Sequence, residues 1–375
     1  FHVEVFTSIE GGETPYQLTS YAQDGVRVIG VTTPQGADHT VADEAMGAVF
    51  GRVLDHLAPA LVHFHCIQRL TASIVSTTLA KQIPYLVSVH DGWWISDRQF
   101  LVDATGALQT YDYGNPIATL HSCGQPAFDR LMRLRPSLQG AERVLAVSEP
   151  FASLHRDCGV GRVTTIANGM SAFPKPVRTA SRDGRVRLGF VGGMAAHKGY
   201  ELLKYALYGQ SFSHLRLLVI DHSLNAGERR QEVWGNTVVD FEPKRPQSQV
   251  GALYAEIDVL LAPSVWPESY GLVTREALYY GCWVIASDRG SIGEYVSDGH
   301  NGFIVAVDGP DGLIMALHRI DRDPSRYLIS PNKQPVIRAA DEQSDELAQL
   351  YGDILDGRSD TTDFVPRLRV ASSRA

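Results

Sequence analysis

Two glutamates, Glu268 and Glu276, lie in the stretch Ala262-Pro-Ser-Val-Trp-Pro-Glu-Ser-Tyr-Gly-Leu-Val-Thr-Arg-Glu-Ala-Leu-Tyr-Tyr-Gly281. An apolar strand pattern runs into a proline-rich turn, and a helical pattern follows from near Tyr270 to a stop at Gly281. Glu268 then falls on the turn and Glu276 inside the helix. Helical rise separates them by at most about 12 Å, on different faces. That spacing suits the two ends of one elongated ligand. It does not suit the carboxylate pair of a glycosidase, which flanks a single bond at about 5–10 Å. The amides of Ser269, Tyr270 and Gly271 would open the helix, where free N–H groups and the dipole favour a diphosphate. The plainer alternative is a surface carboxylate beside one that favours the helix dipole.

A second candidate is Gly189-Phe-Val-Gly-Gly-Met-Ala-Ala-His-Lys-Gly199, which reads as strand, glycine turn and helix. Gly192 and Gly193 offer bare backbone, with His197 and Lys198 beside them. It is not a Walker A loop, because Lys198 is followed by Gly199 where that loop has Ser or Thr. Further back, Leu61-Val-His-Phe-His65 and Tyr85-Leu-Val-Ser-Val-His-Asp-Gly-Trp-Trp94 end two strands in polar and aromatic groups. His90 would face a cleft from the end of a parallel strand; the plainer alternative is a buried histidine satisfied by a carbonyl. His63 and His65 could share one face of a strand, with Cys66 beside them, and so invite a metal, but no third ligand follows at a suitable spacing, and no metal is expected. Asp321-Arg-Asp323 falls at the end of a helix, away from every strand end, and reads as solvated surface.

These residues need a scaffold, and the chain spells one. Short β-rich runs alternate with helical patterns, the sign of an α/β protein with parallel sheets. Strands fit Val3–Phe6, Val26–Val31, Ala60–His65, Tyr85–Val89, Arg143–Val147 and Val163–Ile166, with helices such as Thr71–Lys81 and Glu149–Asp157 between them. Residues 1–169 make one Rossmann-like unit, and 170–185, with two prolines, reads as a linker. A second unit spans 186–339, with strands at Arg187–Val191, Leu215–Ile220, Val238–Phe241, Val259–Leu261, Trp283–Ala286 and Phe303–Val305. Its helices fit Gly199–Tyr208, Gln247–Ala255, Tyr270–Tyr280, Ile292–Val296 and Gly312–Ile320. A final helix over Ala340–Leu355, within 340–356, is expected to pack back on the first unit, and 357–375 reads as a mobile tail. Two such units face one another across a cleft at the carboxyl ends of their strands, where ligands bind.

Pro267-Glu268-Ser269-Tyr270-Gly271, Glu276-Ala277-Leu278, Gly281 and Val284-Ile285-Ala286-Ser287 resemble the signature of family-4 retaining glycosyltransferases with the GT-B fold. The resemblance implies a nucleoside-diphosphate sugar, UDP- or GDP-linked, as donor, and a carbohydrate or lipid-linked acceptor. It implies that Glu268 contacts the donor sugar, Glu276 the ribose, and Lys198 the diphosphate. His90 would lie near the sugar, and Ser291, Ile292 and Glu294 of the Gly290-Ser-Ile-Gly-Glu294 loop near the diphosphate and nucleotide. His65, Asp91, Trp93 and Trp94 would line the acceptor side. No cofactor and no metal is implied. One position departs from the family: Gly193 stands where an arginine is usual, which leaves the leaving-group charge to Lys198, helix-end amides and His197.

The opening Phe1-His-Val-Glu-Val-Phe-Thr7 resembles the family's second strand, so the N-terminal sheet is expected to lack its first strand, glycine loop and first helix. Composition narrows the class further. The net charge of -8 argues against a nucleic-acid binder. Four cysteines without CxxC spacing argue against a disulfide framework and fit a cytoplasmic protein. No apolar run reaches the ~18 residues of a membrane span; peripheral association with the inner membrane is an expectation that the family resemblance implies. The rival readings are a catalytically impaired nucleotide-sugar-binding module and a GT-B-like epimerase or phosphorylase.

Overall fold

The computed structural model describes the chain apart from residues 13, 104, 172, 173, 180, 182 and 358–375, so the expected tail lies almost wholly outside the described residues. The N-terminal half holds two sheets. In the first, β1 (Glu4–Ile9), β2 (Leu18–Gln23) and β3 (Val26–Thr32) lie in the order β1-β3-β2. β1 runs parallel to β3 and β2 antiparallel. The sequence reading missed β2, whose six residues are all exposed and carry no alternation. Its signal was the two-residue loop Asp24-Gly25, both at positive φ, the hairpin turn that matches strand twist.

The second sheet is parallel: β4 (Val62–Phe64), β5 (Tyr85–Val89), β6 (Arg143–Ala146) and β7 (Val163–Thr165), in that order. Helix α1 (Glu44–Leu57), capped by the Asp43 carboxylate on the Met46 amide, precedes it. Helices α2 (Ser73–Ala80), α3 (Pro116–Cys123), α4 (Gln125–Gln139) and α5 (Glu149–Asp157) make its crossovers. The two sheets share no hydrogen-bonded strand pair. Side chains join them instead: Phe50 of α1 lies with its ring 4.8 Å from that of Phe6 in β1 and 6.2 Å from that of Phe64 in β4.

The C-terminal half is one seven-stranded sheet. Its strands are β8 (Val186–Phe190), β9 (Leu215–Ile220), β10 (Arg230–Trp234), β11 (Thr237–Glu242), β12 (Val259–Ala262), β13 (Trp283–Ser287) and β14 (Gly302–Val305). The order is β10-β11-β9-β8-β12-β13-β14, parallel except for β10. Chain direction across the sheet reverses between β8 and β12, so the loops leaving those two strands part and open a crevice. Helices α6 (Tyr200–Tyr208), α7 (Val250–Ala255), α8 (Leu272–Tyr279), α9 (Asp311–Arg322) and α10 (Pro324–Tyr327) cover it. Helix α11 (Ala340–Leu355) returns to the N-terminal half, where Leu350 and Ile354 bury against Leu86, Leu145 and Ile166. Each such burial stabilises by about 1.5–3 kcal/mol.

Two expectations need correction. Ile292–Val296 is not a helix: its amides make three-residue turn bonds, Glu294 to Ser291 and Val296 to Gly293. The segment is instead held to the neighbouring loop by the Ser291 amide on the Glu268 carbonyl. Asp321 is not solvated surface either. Its carboxylate accepts the amides of Ser213 and His214 and fixes the turn into β9. Among the described residues no helix is long and apolar enough to cross a membrane.

Candidate active site

The loops leaving β8 and β12 meet through their side chains. After β8 the chain turns at Gly192 and Gly193 and enters a short 3-10 turn, Ala196–Lys198. After β12, Pro263 to Gly271 leads into α8. The Lys198 ammonium lies 2.6 Å from Glu268 Oε1. Ser264 Oγ lies 2.8 Å from the same oxygen and 3.0 Å from the His197 carbonyl, which also accepts the Val265 amide. Glu268 is only 5% exposed, so its carboxylate would be costly without these partners. Gly290 completes the turn: a β-carbon there would lie 2.6 Å from the Glu268 nitrogen and 2.5 Å from its carbonyl oxygen. Only glycine lets the Gly290–Glu294 loop pack on Glu268.

Glu276 lies one turn into α8 and is 6% exposed. Tyr254 of α7 donates to its Oε2 at 3.0 Å and Gln247 to its Oε1 at 3.3 Å. Burial pushes the carboxyl pKa above its ordinary value, and these two hydrogen bonds oppose the rise. Arg275, next to it and 1% exposed, points the other way. Its guanidinium lies 3.7 Å from the Tyr270 ring centre and 4.8 Å from that of Tyr295. It donates to the Tyr270 and Ser291 carbonyls, to Ser291 Oγ and to Glu294. Arg275 thereby ties the entrance of α8 to the loop carrying Ser291, Ile292 and Glu294.

The N-terminal half supplies three contacts to this region. Ser148 Oγ donates to the Ser269 carbonyl, and the Tyr270 hydroxyl to the Asn168 carbonyl. Phe100, from the loop after β5, stacks on the His197 ring at 3.7 Å and meets Trp266 edge-on at 5.3 Å. Burial and the neighbouring Lys198 push the His197 pKa down to about 4, although Glu268 opposes the shift. His197 is therefore neutral at pH 7 and offers hydrogen bonds, not charge.

At the ends of β4 and β5, His65 Nδ1 and His90 Nε2 lie 3.0 Å apart. His63 is engaged elsewhere, with the Tyr351 hydroxyl of α11 at 2.6 Å and Ser88 Oγ at 2.8 Å. Among the described residues no group of three or more His, Cys, Asp or Glu is arranged to hold a metal ion.

Sequence comparison assigns both halves. Residues 1–169 match the glycosyl transferase 4-like domain, and residues 174–334 match the glycosyl transferases group 1. The chain belongs to the glycosyltransferases of the GT-B fold. A GDP-mannose-dependent alpha-mannosyltransferase of Mycolicibacterium smegmatis is 29% identical over 264 residues, covering 69% of this chain and 67% of the relative. A D-inositol 3-phosphate glycosyltransferase of Streptomyces bingchenggensis is 38% identical over 87 residues, 23% of this chain. An uncharacterized 41.2 kDa protein in the cps region of Klebsiella pneumoniae is 33% identical over 130 residues, 35% of this chain. The matched stretches span 19% of the Streptomyces and 35% of the Klebsiella protein. Among solved structures, sucrose-phosphate synthase from Thermosynechococcus elongatus superposes with a TM-score of 0.66 at 17% identity, over 95% of this chain and 90% of the other. HepE of Anabaena, in complex with UDP and glucose, gives 0.57 at 16% identity, over 89% and 87%. These likenesses show the shared fold.

In this chain, Glu268, Lys198, Ser269, Tyr270, Gly271, Ser291, Ile292 and Glu294 gather around the entrance of α8, with Glu276 one turn deeper. His90 and His65 pair on the other half. Trp93 and Trp94 pack in the hydrophobic core of the N-terminal half, edge-on to one another at 4.9 Å and with the Arg130 guanidinium 4.5 Å over the Trp93 ring, where an acceptor-lining role was expected. Asp91 caps their turn by accepting the Trp93 amide, and also accepts from Gln68 and Gln99. The outward positions of that loop are Asp97, Arg98 and Gln99. The sequence reading missed Ser264, Trp266, Arg275, Tyr254, Gln247 and Phe100. Arg275 alone carried a local signal: a charge beside Glu276, on the helix face the apolar pattern reserves for the core.

Proposed function

We propose that this glycosyltransferase moves a sugar from a UDP- or GDP-linked donor to a hydroxyl of a carbohydrate or lipid-linked acceptor, with retention of anomeric configuration. The observation that carries the reading is the pairing of half-buried Lys198 with buried Glu268, beside a deeper Glu276 held by Tyr254 and Gln247. One elongated ligand spans these groups in order: Glu268 takes the sugar hydroxyls, Lys198 the diphosphate, and Glu276 the ribose. As the sugar–phosphate bond breaks, positive charge grows on the sugar and negative charge on the departing diphosphate. Lys198 and the amides of Ser269–Gly271 face the negative charge, and groups already in place for it lower the barrier without reorganising. The acceptor hydroxyl attacks from the side the diphosphate leaves, and the leaving phosphate takes its proton. His90 holds a sugar hydroxyl from the N-terminal half. No metal and no cofactor takes part in this scheme.

The relative that uses GDP-mannose and the similarly folded HepE in complex with UDP-glucose support a nucleotide-sugar donor. A role in glycan or polysaccharide synthesis at the cytoplasmic face of a membrane, with peripheral attachment, fits the acceptor class. Calorimetric titration with UDP, GDP and their sugar conjugates tests the reading, on the wild type and on Glu276→Ala. Binding that the substitution weakens supports it. Binding of no nucleotide by the wild type overturns it, as does product of inverted configuration for the retaining mechanism.

A further inference from the structure

A diphosphate in the crevice needs hydrogen-bond donors and positive charge, and the loop after β8 has few to offer. Lys198 is shared with Glu268, and the His197 ring is covered by Phe100 and held neutral. Residues 192 and 193 are glycines and carry no side chain. The space that a side chain at 193 would take is nevertheless filled. β8 and β9 are parallel neighbours, with Phe190 opposite Val219. The two loops therefore leave the sheet at the same end, and His222 stands two residues past the end of β9. A β-carbon on Gly193 would lie 3.2 Å from His222 Nδ1 and 3.3 Å from Cε1. Gly193, at φ 85, thus lets one edge of the imidazole rest on its backbone.

Two features keep that ring available. His222 is exposed and makes no hydrogen bond among the described residues. The adjacent Asp221 carboxylate, which could have claimed it, is buried and already occupied by the Ser223 amide and hydroxyl and by Arg230.

We propose that His222 is a donor-binding residue: its imidazole N–H hydrogen-bonds a diphosphate oxygen of the nucleotide sugar from across Gly193. This rests on the donor reading above. It adds a contact from β9, on the far side of β8 from Glu268 and Glu276, so the diphosphate would be held from both flanks of the glycine turn.

The test compares a nucleoside diphosphate with its own nucleoside. Calorimetry is run with UDP or GDP, whichever the wild type takes, and with uridine or guanosine by displacement, on the wild type, His222→Ala, His222→Gln and Glu276→Ala. His222→Ala is expected to weaken the diphosphate about tenfold, the worth of one hydrogen bond to a charged group, and to leave the nucleoside unchanged. His222→Gln, which keeps an N–H donor, is expected to recover part of the loss, and Glu276→Ala to weaken both ligands. Unchanged diphosphate affinity in His222→Ala, with Glu276→Ala still impaired, overturns the role of His222 and leaves the donor reading standing. Equal loss of nucleoside and diphosphate in His222→Ala overturns it too, since the ring would then serve base or ribose. A wild type that binds no nucleotide overturns both.

Discussion

The Lys198 ammonium and the Glu268 carboxylate, 70 positions apart in the chain, lie 2.6 Å from one another and close the crevice between β8 and β12. Without a ligand each neutralises the other. A donor phosphate arriving beside Lys198 would compete for the ammonium and release the carboxylate toward the sugar, so one binding event would arm both groups.

Lys198→Met and Glu268→Gln keep the volume of each side chain while removing the charge. Either substitution is expected to lower turnover by at least about 100-fold, the usual cost of losing a group aimed at transition-state charge. Circular dichroism should stay as in the wild type. Near-normal turnover in either variant would take that residue out of the site.

Tyr254→Phe removes one of the two hydrogen bonds that orient Glu276. It is expected to weaken nucleotide binding about tenfold, since a hydrogen bond to a charged group contributes about 1.5 kcal/mol or more. The Glu276 pKa is raised by burial, so the carboxylate protonates at a higher pH than an ordinary glutamate. Nucleotide affinity should therefore begin to fall on acidification while exposed carboxylates remain charged. A titration series from pH 7 to 4.5 that shows flat affinity would place the ribose elsewhere.

His155 is fully buried, with Nδ1 on the Phe151 carbonyl and Nε2 without a hydrogen-bond partner among the described residues, and burial holds its pKa down at about 4 against an ordinary 6.5. His197 is held down to about 4 as well. The unfolded chain takes up protons at these sites below pH 6.5 that the folded chain refuses until about pH 4. Stability is thus full above pH 6.5 and falls as pH drops through that window. Urea unfolding at pH 7, 6 and 5 should show the decline, and His155→Gln should make it shallower. An unaltered slope would mean that other groups govern the acid limb.

Arg275→Met leaves Glu294 without its cation and the Tyr270 and Ser291 carbonyls without a donor. Arg275 is buried but Glu294 is exposed, so the cost falls mainly on the two carbonyls left without a donor, about 1–3 kcal/mol each. The thermal midpoint is expected to drop by on the order of 10 °C. The double variant with Glu294→Gln should recover part of the loss, and no recovery would show that the carbonyl contacts dominate.

Much of this protein could be read from local pattern. Strands β9 and β12 and helices α5 and α11 stand at the expected positions because β12 is an unbroken apolar run and the apolar residues of the others follow the period of the element. The hairpins β2–β3 and β10–β11 were harder. β2 and β10 are mostly polar and exposed, and only their two-residue turns, Asp24-Gly25 and Gly235-Asn236, announced them. The same division holds at the site. Glu268, Lys198 and Glu276 belong to short motifs, so their spacing already suggested a ligand. What holds each in place comes from distant segments: Ser264 bridges to the loop after β8, Tyr254 reaches Glu276 from α7, and Phe100 crosses from the other half. No local pattern encodes those meetings. Trp93 and Trp94 misled for the opposite reason, since aromatic residues after a strand end serve a binding surface and a core equally well until burial decides.

The N-terminal half is stitched across β1 and β4 by rings, not by a backbone ladder. Phe6, Phe50 and Phe64 can part without breaking any strand pairing in either sheet. The β1–β3 unit therefore has its own route to subglobal opening, at a free energy below that of the whole molecule. Its amides should take up deuterium ahead of those in β5 and β6, while the walls that carry His90 and Glu268 remain protected. Transient loosening at this remote corner would then leave the chemistry of the cleft intact.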